Sequence, residues 1–354
     1  MTASCKAPRN LASVKNDIVN LVHEPIAIVG AACRLPGAPD LNALWSLLSE
    51  GQESIRPLPG NRFPLRDYWH PRRGEPGKFY ATRAGTLDDV EQFDAAFFGI
   101  SAREAKEMDP QQRLLLELAW EALEDGGIQP SWIADAGVYI GASATEYANA
   151  RLGDANSIGP YFMPGNTLSI FANRISYMLD LHGPSMTVDT ACSSSLYALH
   201  LACQDLQNGR TSAALVGGVN MLLSPYPFIG FCSAGMLSPT GHCHAFDAAA
   251  DGYVRAEGGV MLVLKPLSAA RQDGDSIHGI ILGSAVNTDG HTQGMLFPGE
   301  KAQSALLDRL YSQIDISADQ LAFIEAHGTG TAAGDPVEAT ALGTILGQER
   351  TAPL

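Results

Sequence analysis

The chain has 354 residues, of which 45% are hydrophobic and 17% charged, a composition that excludes a disordered protein and allows one large domain or two ordinary ones. Its 23 lysines and arginines and 38 aspartates and glutamates give a formal net charge of −15, which speaks against a nucleic-acid or anionic-membrane binder. No stretch predicts a membrane helix, and six cysteines without a pairing pattern predict free thiols and a cytoplasmic location.

The first hundred residues divide into three predicted segments. Residues 1–23 predict a leader or linker helix because apolar residues recur at near-helical spacing in a polar background. Those apolar residues are Leu11, Val14, Ile18 and Val22. Residues 26–29 form a short apolar run typical of a buried strand, and no G-x-G-x-x-G pattern follows to indicate a dinucleotide site. Residues 51–105 are rich in proline, glycine and aromatic side chains, which predicts a long irregular loop on the surface.

From residue 109 onward, strands and helices alternate. Asp109 and Pro110 open a predicted helix as N-cap and first-turn residue, and Gly126 and Gly127 end it. Further strands are predicted at residues 138–141, 186–190, 214–219, 259–265, 279–286 and 321–325. Further helices are predicted at residues 196–208, 304–311 and 337–346, and a second long loop at residues 224–257. The alternation predicts an α/β layered fold around a central, largely buried sheet.

Cys192 lies where a predicted strand runs directly into a helix, in the segment VDTACSSSL (188–196). Unpaired N–H groups and the dipole of a helix N-terminus favour a thiolate there. The same N–H groups can stabilise the oxyanion that forms when an acyl carbonyl is attacked. Small neighbours such as Ser194 leave room for a substrate. The alternative is a small buried cysteine, which is our interpretation of Cys33, Cys203 and Cys232.

The segment EAHGTGTAAGDPVEA (325–339) repeats this pattern around His327. The neighbouring glycines leave the imidazole uncrowded, and the hydroxyls of Thr329 and Thr331 suit an amide-bearing arm. Asp335 and Glu338 predict the N-cap and the capping-box carboxylate of the next helix, with a lysine as an alternative partner for Glu338. A purely structural histidine is the alternative for His327.

Both segments resemble the nucleophile and first-histidine motifs of β-ketoacyl synthases, specifically the ketosynthase domains of modular type I polyketide synthases. The resemblance covers residues 24–354 and includes further blocks in the expected order. These blocks are EPIAIVGAACRLPG (24–37), MDPQQRLLLELAWEALEDGGI (108–128), NRISYMLDLHGPSMTVDTACSSSL (173–196), GMLSPTGHCHAFDAAADGYVRAEG (235–258) and GSAVNTDG (283–290).

The resemblance implies a thiolase-like fold, an α-β-α-β-α sandwich built from two pseudo-symmetric halves. The halves are expected at residues 24–257 and 258–354, the second incomplete, and the protein is expected to form a homodimer. Its implied partners are an acyl carrier protein, which supplies the phosphopantetheine arm, and adjacent polyketide synthase modules. No bound cofactor, metal, nucleic acid or membrane is implied.

The implied chemistry begins when Cys192 accepts an acyl group from the carrier-bound thioester. Decarboxylative Claisen condensation with a malonyl-type extender then gives a β-ketoacyl thioester. By resemblance, His327 stabilises the enolate oxygen or polarises the thioester carbonyl. Residues that line the phosphopantetheine arm and the acyl pocket are Thr329, Thr331 and Ser194, and those that give structural support are Asp335 and Glu338.

The sequence departs from the family pattern in several places. An asparagine, glycine and histidine preceded by a lysine, the third family motif, is not found before Leu354, so a truncated condensing domain is expected. Asn173 stands where glycine is usual, and His242 and His244 replace bulkier cationic residues, which we expect to tune the entrance and not the reaction. With Cys243 they are too close in sequence, and lack a second cluster, to predict a zinc site.

Three other classes compete with this prediction. A thiolase would use coenzyme A and would lack the HGTGT loop. A papain-like cysteine hydrolase would carry its cysteine near the mature N-terminus. A truncated fragment that only holds an acyl group or dimerises would not catalyse condensation.

Overall fold

A computed structural model describes residues 24–153, 155–314, 316–348, 350 and 352. The predicted leader helix, residues 1–23, lies outside the described residues. The strands are β1 (Ile26–Arg34), β2 (Ile55–Pro57), β3 (Arg83–Gly85), β4 (Gly137–Gly141), β5 (Ser185–Val188), β6 (Ala214–Asn220), β7 (Gly258–Pro266) and β8 (Gly279–Ile281). The helices are α1 (Leu41–Ser49), α2 (Leu65–Tyr68), α3 (Ala102–Glu107), α4 (Pro110–Asp125), α5 (Glu146–Arg151), α6 (Phe162–Asn166), α7 (Leu168–Leu179), α8 (Ser194–Gln207), α9 (Tyr226–Ser233), α10 (Leu267–Asp273), α11 (Glu300–Tyr311) and α12 (Asp335–Leu346).

One mixed six-stranded sheet, in the order β5-β4-β6-β7-β1-β8, is the centre of the fold. Strand β4 runs parallel to β5 and β6, whereas β7 pairs antiparallel with β6 and β1, and β8 with β1. The carboxyl ends of β4, β5 and β6 therefore lie at the same edge of the sheet. The chain leaves β5 at this edge just before Cys192.

Helices cover both faces of the sheet. On one face, α4 and α7 pack against the strands around Leu115, Leu118 and Phe171. On the other face, α8 packs against β4 and β6 around Tyr139 and Ala202. Burial on both faces is the reason that these strands are continuous apolar runs, and it confirms the predicted central buried sheet.

Several predicted elements differ from the structure. The predicted loops at residues 51–105 and 224–257 contain β2, β3, α2, α3 and α9, and α7 has no counterpart in the prediction. The predicted strand at residues 279–286 is limited to β8, and residues 321–325 form no strand because no described strand lies beside them. The described residues thus form α-β-α layers, with α11 and α12 packed together, and the second sheet of the expected five-layer sandwich is not among them.

Two glycines allow the start of α8 to lie directly on the sheet. A Cβ atom at Gly141, the last residue of β4, would lie 2.3 Å from the backbone nitrogen of Ser195. A Cβ atom at Gly218 of β6 would lie 2.7 Å from the Cβ of Ser195. These distances are too short for any side chain, so the two glycines fix the height of the helix N-terminus above the sheet.

We predict that Gly141→Ala lowers the free energy of unfolding by about 3 kcal/mol, since the added methyl group meets backbone atoms that cannot rotate away. Chemical denaturation measures the change. The matched control is Gly343→Ala within α12, where no atom lies within 4 Å of the added carbon. That control should leave the stability unchanged or raise it by up to about 1 kcal/mol. Equal stability of the two variants would contradict the close approach.

Candidate active site

Cys192 lies on a strained turn between β5 and α8. Ala191, immediately before it, has a φ angle of 54°, a left-handed conformation that costs a residue with a side chain about 1–3 kcal/mol. The backbone N–H of Ala191 donates a hydrogen bond of 3.0 Å to the side chain of Asp189, which holds the turn. Residue Cys192 is exposed on this turn, and it lies between a strand and a helix, where the sequence pattern places it.

Ser194 closes the same turn from inside. Its hydroxyl accepts a hydrogen bond of 2.9 Å from the backbone N–H of Thr190 and donates one of 2.6 Å to the carbonyl of Ala191. The prediction places Ser194 among the substrate contacts, whereas the residue is only 5% exposed and its oxygen is engaged within the chain. In the structure, Ser194 therefore stabilises the turn that carries Cys192.

His327 lies on an irregular loop that leads into α12. The carboxylate of Glu338 accepts hydrogen bonds from the backbone N–H groups of His327 and Gly328, at 2.7 and 2.8 Å. Asp335 accepts one of 3.0 Å from the N–H of Gly330. The predicted N-cap and capping box are wrong, because the N-cap is Gly334 without a side-chain hydrogen bond. Both carboxylates reach back to the histidine loop instead of capping their own helix.

The hydroxyls of Thr329 and Thr331 face each other on this loop, 2.8 Å apart. Thr331 also accepts a hydrogen bond of 3.0 Å from the N–H of Gly334, and Thr329 donates one of 3.3 Å to Asp335. Both side chains are half-buried. Their contact with a phosphopantetheine arm stays a prediction.

The structure brings the two predicted reactive side chains together, since the His327 imidazole and the Cys192 thiol lie close enough to shift each other's pKa. The nearby imidazole lowers the pKa of Cys192, helped by N–H groups at the turn and opposed by burial. The nearby thiol raises the pKa of His327, with further support from Glu338 and Asp335 and opposed by burial. The arrangement favours a thiolate beside an imidazolium, which is a nucleophile ready to attack an acyl carbonyl.

A second loop supports the histidine loop from behind. The thiol of Cys243 donates a hydrogen bond of 3.5 Å to the carbonyl of Gly328, and the N–H of Gly252 donates one of 2.9 Å to the carbonyl of Gly330. The backbone N–H of Phe246 donates one of 2.6 Å to Asp335. Sequence reasoning did not identify these contacts, because they join segments far apart in the chain.

Tyr253 and Arg255 are further residues of the site that the residue patterns do not single out. Burial raises the pKa of Tyr253 to about 12, and the nearby Cys192 adds to this shift. Arg255 forms a buried ion pair of 3.4 Å with Glu146 and lies 4.7 Å from the centre of the Phe228 ring. Both residues belong to the block 235–258, so the family resemblance is the one signal that could have indicated them.

Two other candidate residues, Cys203 and His242, make their contacts elsewhere. Cys203 is buried, and this burial raises the pKa of its thiol to about 11, in agreement with the prediction that it is a packing residue. Nδ1 of His242 lies 3.2 Å from a carboxylate oxygen of Glu53. Among the residues that the structure describes, no three histidine, cysteine or acidic side chains are placed to hold a metal ion.

The layered fold and the paired cysteine and histidine define a class, the thiolase-like condensing enzymes. Residues 23–270 match the family model "Beta-ketoacyl synthase, N-terminal domain", and residues 278–354 match "Beta-ketoacyl synthase, C-terminal domain". The chain therefore belongs to the β-ketoacyl synthase family.

Curated proteins similar to this chain are polyketide synthases. It is 48% identical to a phenolphthiocerol/phthiocerol polyketide synthase polypeptide of Mycobacterium tuberculosis, over 97% of this chain and 18% of that protein. It is 46% identical to the polyketide synthase ThaG of Burkholderia thailandensis, over 92% of this chain and 6% of that protein. The chain thus spans less than a fifth of the length of these curated relatives.

Solved structures confirm the predicted thiolase-like α/β fold. The ketosynthase from module 6 of the bacillaene synthase of Bacillus subtilis 168 matches with a TM-score of 0.84 and 41% identity, over 92% of this chain and 55% of that one. The oxazolomycin ketosynthase domain OzmH KS7 of Streptomyces albus JA3453 matches with a TM-score of 0.87 and 38% identity, over 91% and 56%. The chain spans just over half the length of these two solved chains.

We predict that His327→Ala shifts the alkylation of Cys192 by iodoacetamide to higher pH. The imidazole lowers the pKa of the thiol, so its removal raises that pKa and leaves less thiolate at neutral pH. Mass spectrometry of the peptide that contains Cys192 gives the rate at each pH. The control is His278→Ala, which removes a histidine paired with Asp125 and should leave the profile unchanged. An unshifted profile for His327→Ala would show that the two side chains are not coupled.

Proposed function

We propose that the chain is a ketosynthase domain in which Cys192 carries the acyl group and His327 assists both half-reactions. The observation that carries the proposal is the proximity of the two side chains at the N-terminus of α8, where each shifts the pKa of the other. The Cys192 thiolate attacks the carbonyl of an acyl thioester, and a new C–S bond forms. The thiol of the phosphopantetheine arm leaves and takes its proton from the imidazolium of His327.

Condensation follows when a carrier-bound malonyl-type unit loses CO₂. The enolate carbon that results attacks the acyl carbonyl on Cys192, and the C–S bond breaks to release the β-ketoacyl thioester and the free thiolate. The Nε–H or Nδ–H of His327 stabilises the enolate oxygen, and the helix N–H groups at Cys192 stabilise the oxyanion on the acyl carbon. Thr329 and Thr331 contact the amide groups of the arm.

The proposed partners are an acyl carrier protein, which brings the phosphopantetheine arm, and adjacent polyketide synthase modules. No resident cofactor is needed, because the arm supplies the thioester and the chain supplies both reacting side chains. Part of this proposal is a cytoplasmic location, which the free thiols of Cys33, Cys192, Cys203 and Cys232 support. Across the part of the chain that the structure describes, no helix has the length and apolar character to cross a membrane.

A homodimer completes the proposal. Strand β5 is an edge of the main sheet, and its free backbone groups can pair with β5 of a second copy. Helices α7 and α8, which pack against β5, carry exposed apolar side chains, since Tyr177 is 83% and Leu196 66% exposed. Pairing of two copies would cover these side chains and extend the sheet.

We predict that Cys192→Ala abolishes covalent loading by a short acyl thioester, because the variant lacks the attacking sulfur. The matched control Cys203→Ala removes a buried thiol and should leave loading intact at a cost in packing. Intact-protein mass spectrometry measures the acyl adduct. An equal loss in both variants contradicts the assignment of the nucleophile.

The same assay separates the two half-reactions at His327. His327→Ala should slow loading at neutral pH, and raising the pH should restore part of it. Release of CO₂ from carrier-bound malonate and formation of the C–C bond should fall further than loading at every pH. The reverse order would mean that the histidine has no part in condensation.

We also predict that Tyr177→Glu combined with Leu196→Glu converts the dimer to monomers, because charged side chains would be buried without partners. Analytical ultracentrifugation gives the mass in solution. The control Trp45→Glu changes a similarly exposed side chain on α1, which is 71% exposed, and should leave the dimer intact. A dimer that persists in the double variant argues against the β5 edge as the interface.

A further inference from the structure

The segment at residues 65–78 consists of α2 and the loop that follows it, and it is called the 65–78 loop here. Its charge is opposite to that of the chain. It carries Arg66, Arg72, Arg73 and Lys78 against Asp67 and Glu75, within a chain whose formal net charge is −15. The cations are therefore concentrated on a short surface segment. Opposite charge on a small area attracts an acidic partner, even though the molecule as a whole repels one.

This loop is held in one conformation by contacts with the core. The N–H of Phe79 donates a hydrogen bond of 2.9 Å to the carbonyl of Tyr68, and the N–H of His70 donates one of 3.0 Å to the carbonyl of Phe79. The rings of Tyr68 and Tyr226 are 6.3 Å apart in an edge-to-face arrangement. Because the loop is ordered before any partner arrives, binding to it costs little conformational entropy.

The guanidinium groups of the loop are available. In the described part of the chain, Arg66, Arg72 and Arg73 form no ion pair with a carboxylate, and all three residues are exposed. The contrast is with Arg62, which is buried and paired with Glu257 at 2.8 Å. Arg73 lies 5.2 Å from the centre of the Tyr80 ring, which orients it without neutralising its charge.

Exposed aromatic side chains accompany these cations. Trp69, next to Tyr68, is 43% exposed, and Tyr226 at the start of α9 is 64% exposed. Large aromatic side chains and arginine are the residue types that dominate the energetics of protein interfaces. Cations alone would favour any anion, whereas the aromatic side chains add a requirement for apolar groups in the partner.

We propose that the 65–78 loop and Tyr226 form a binding surface for an acidic peptide segment that also carries apolar side chains. Glutamate or aspartate side chains pair with Arg66, Arg72 and Arg73, and an apolar side chain packs on Trp69. A peptide is favoured over a nucleic acid because Asp67 and Glu75 lie on the same loop and the whole chain is acidic, so that a long polyanion is repelled.

The test measures binding of a fluorescein-labelled eight-residue peptide of six glutamates and two leucines by fluorescence anisotropy. The 354-residue chain should bind it, and the affinity should fall as the salt concentration rises. Arg72→Glu should weaken binding of the peptide at least tenfold. Trp69→Ala should also weaken binding at least tenfold, but it should change the salt dependence of the affinity less than Arg72→Glu does. The control Arg271→Glu, at the exposed end of α10, should bind as the unchanged chain does.

Several results would overturn the proposal. One is unchanged binding by Arg72→Glu. Because the side chain of Arg72 is exposed, this variant can fold, and it decides the question if Trp69→Ala does not fold. Another is equal binding of a peptide in which lysine replaces glutamate. Tighter binding of an eight-nucleotide thymidine oligonucleotide would identify a nucleic-acid surface in its place.

Discussion

The proximity of the Cys192 thiol and the His327 imidazole constrains two distant parts of the chain at once. The thiolate needs a nearby positive charge, and the imidazolium needs a nearby negative one, so each stabilises the reactive state of the other. Both effects weaken as the two side chains move apart, because the interaction between charges falls with distance. The surrounding structure is best understood as the means of holding these two side chains at contact distance.

The two side chains are held in different ways. Cys192 is held by backbone strain and steric fit: Ala191 adopts a left-handed φ of 54°, and Ser194 closes the turn beneath it. His327 is held by charge, since Glu338 accepts hydrogen bonds from two consecutive N–H groups of an otherwise irregular loop. A strand end can be rigid through its sheet, whereas a loop without ladder hydrogen bonds needs acceptors from elsewhere.

Sequence reasoning found the strands of the main sheet and the turn at Cys192, because apolar runs and strand-to-helix transitions are local signals. It also placed His327 on the loop that leads into α12. It placed Asp335 and Glu338 on the correct helix but assigned them the wrong hydrogen bonds. A capping pattern is visible in the sequence, whereas the hydrogen bonds from the His327 loop to these two carboxylates are not. The helix α9 and the contacts of Cys243 were missed for the same reason. Residues 321–325 show the converse case, an apolar run that has no strand beside it and therefore no ladder.

The glycines at positions 141 and 218 have a consequence for how such a site can diversify. Gly141 meets the main chain of α8, and Gly218 leaves room for the Cβ of Ser195, so neither position admits a side chain between the helix and the sheet. Side chains elsewhere around Cys192 can then change in size or polarity without moving the start of α8. The position of the sulfur atom is thus separated from the identity of the side chains around it.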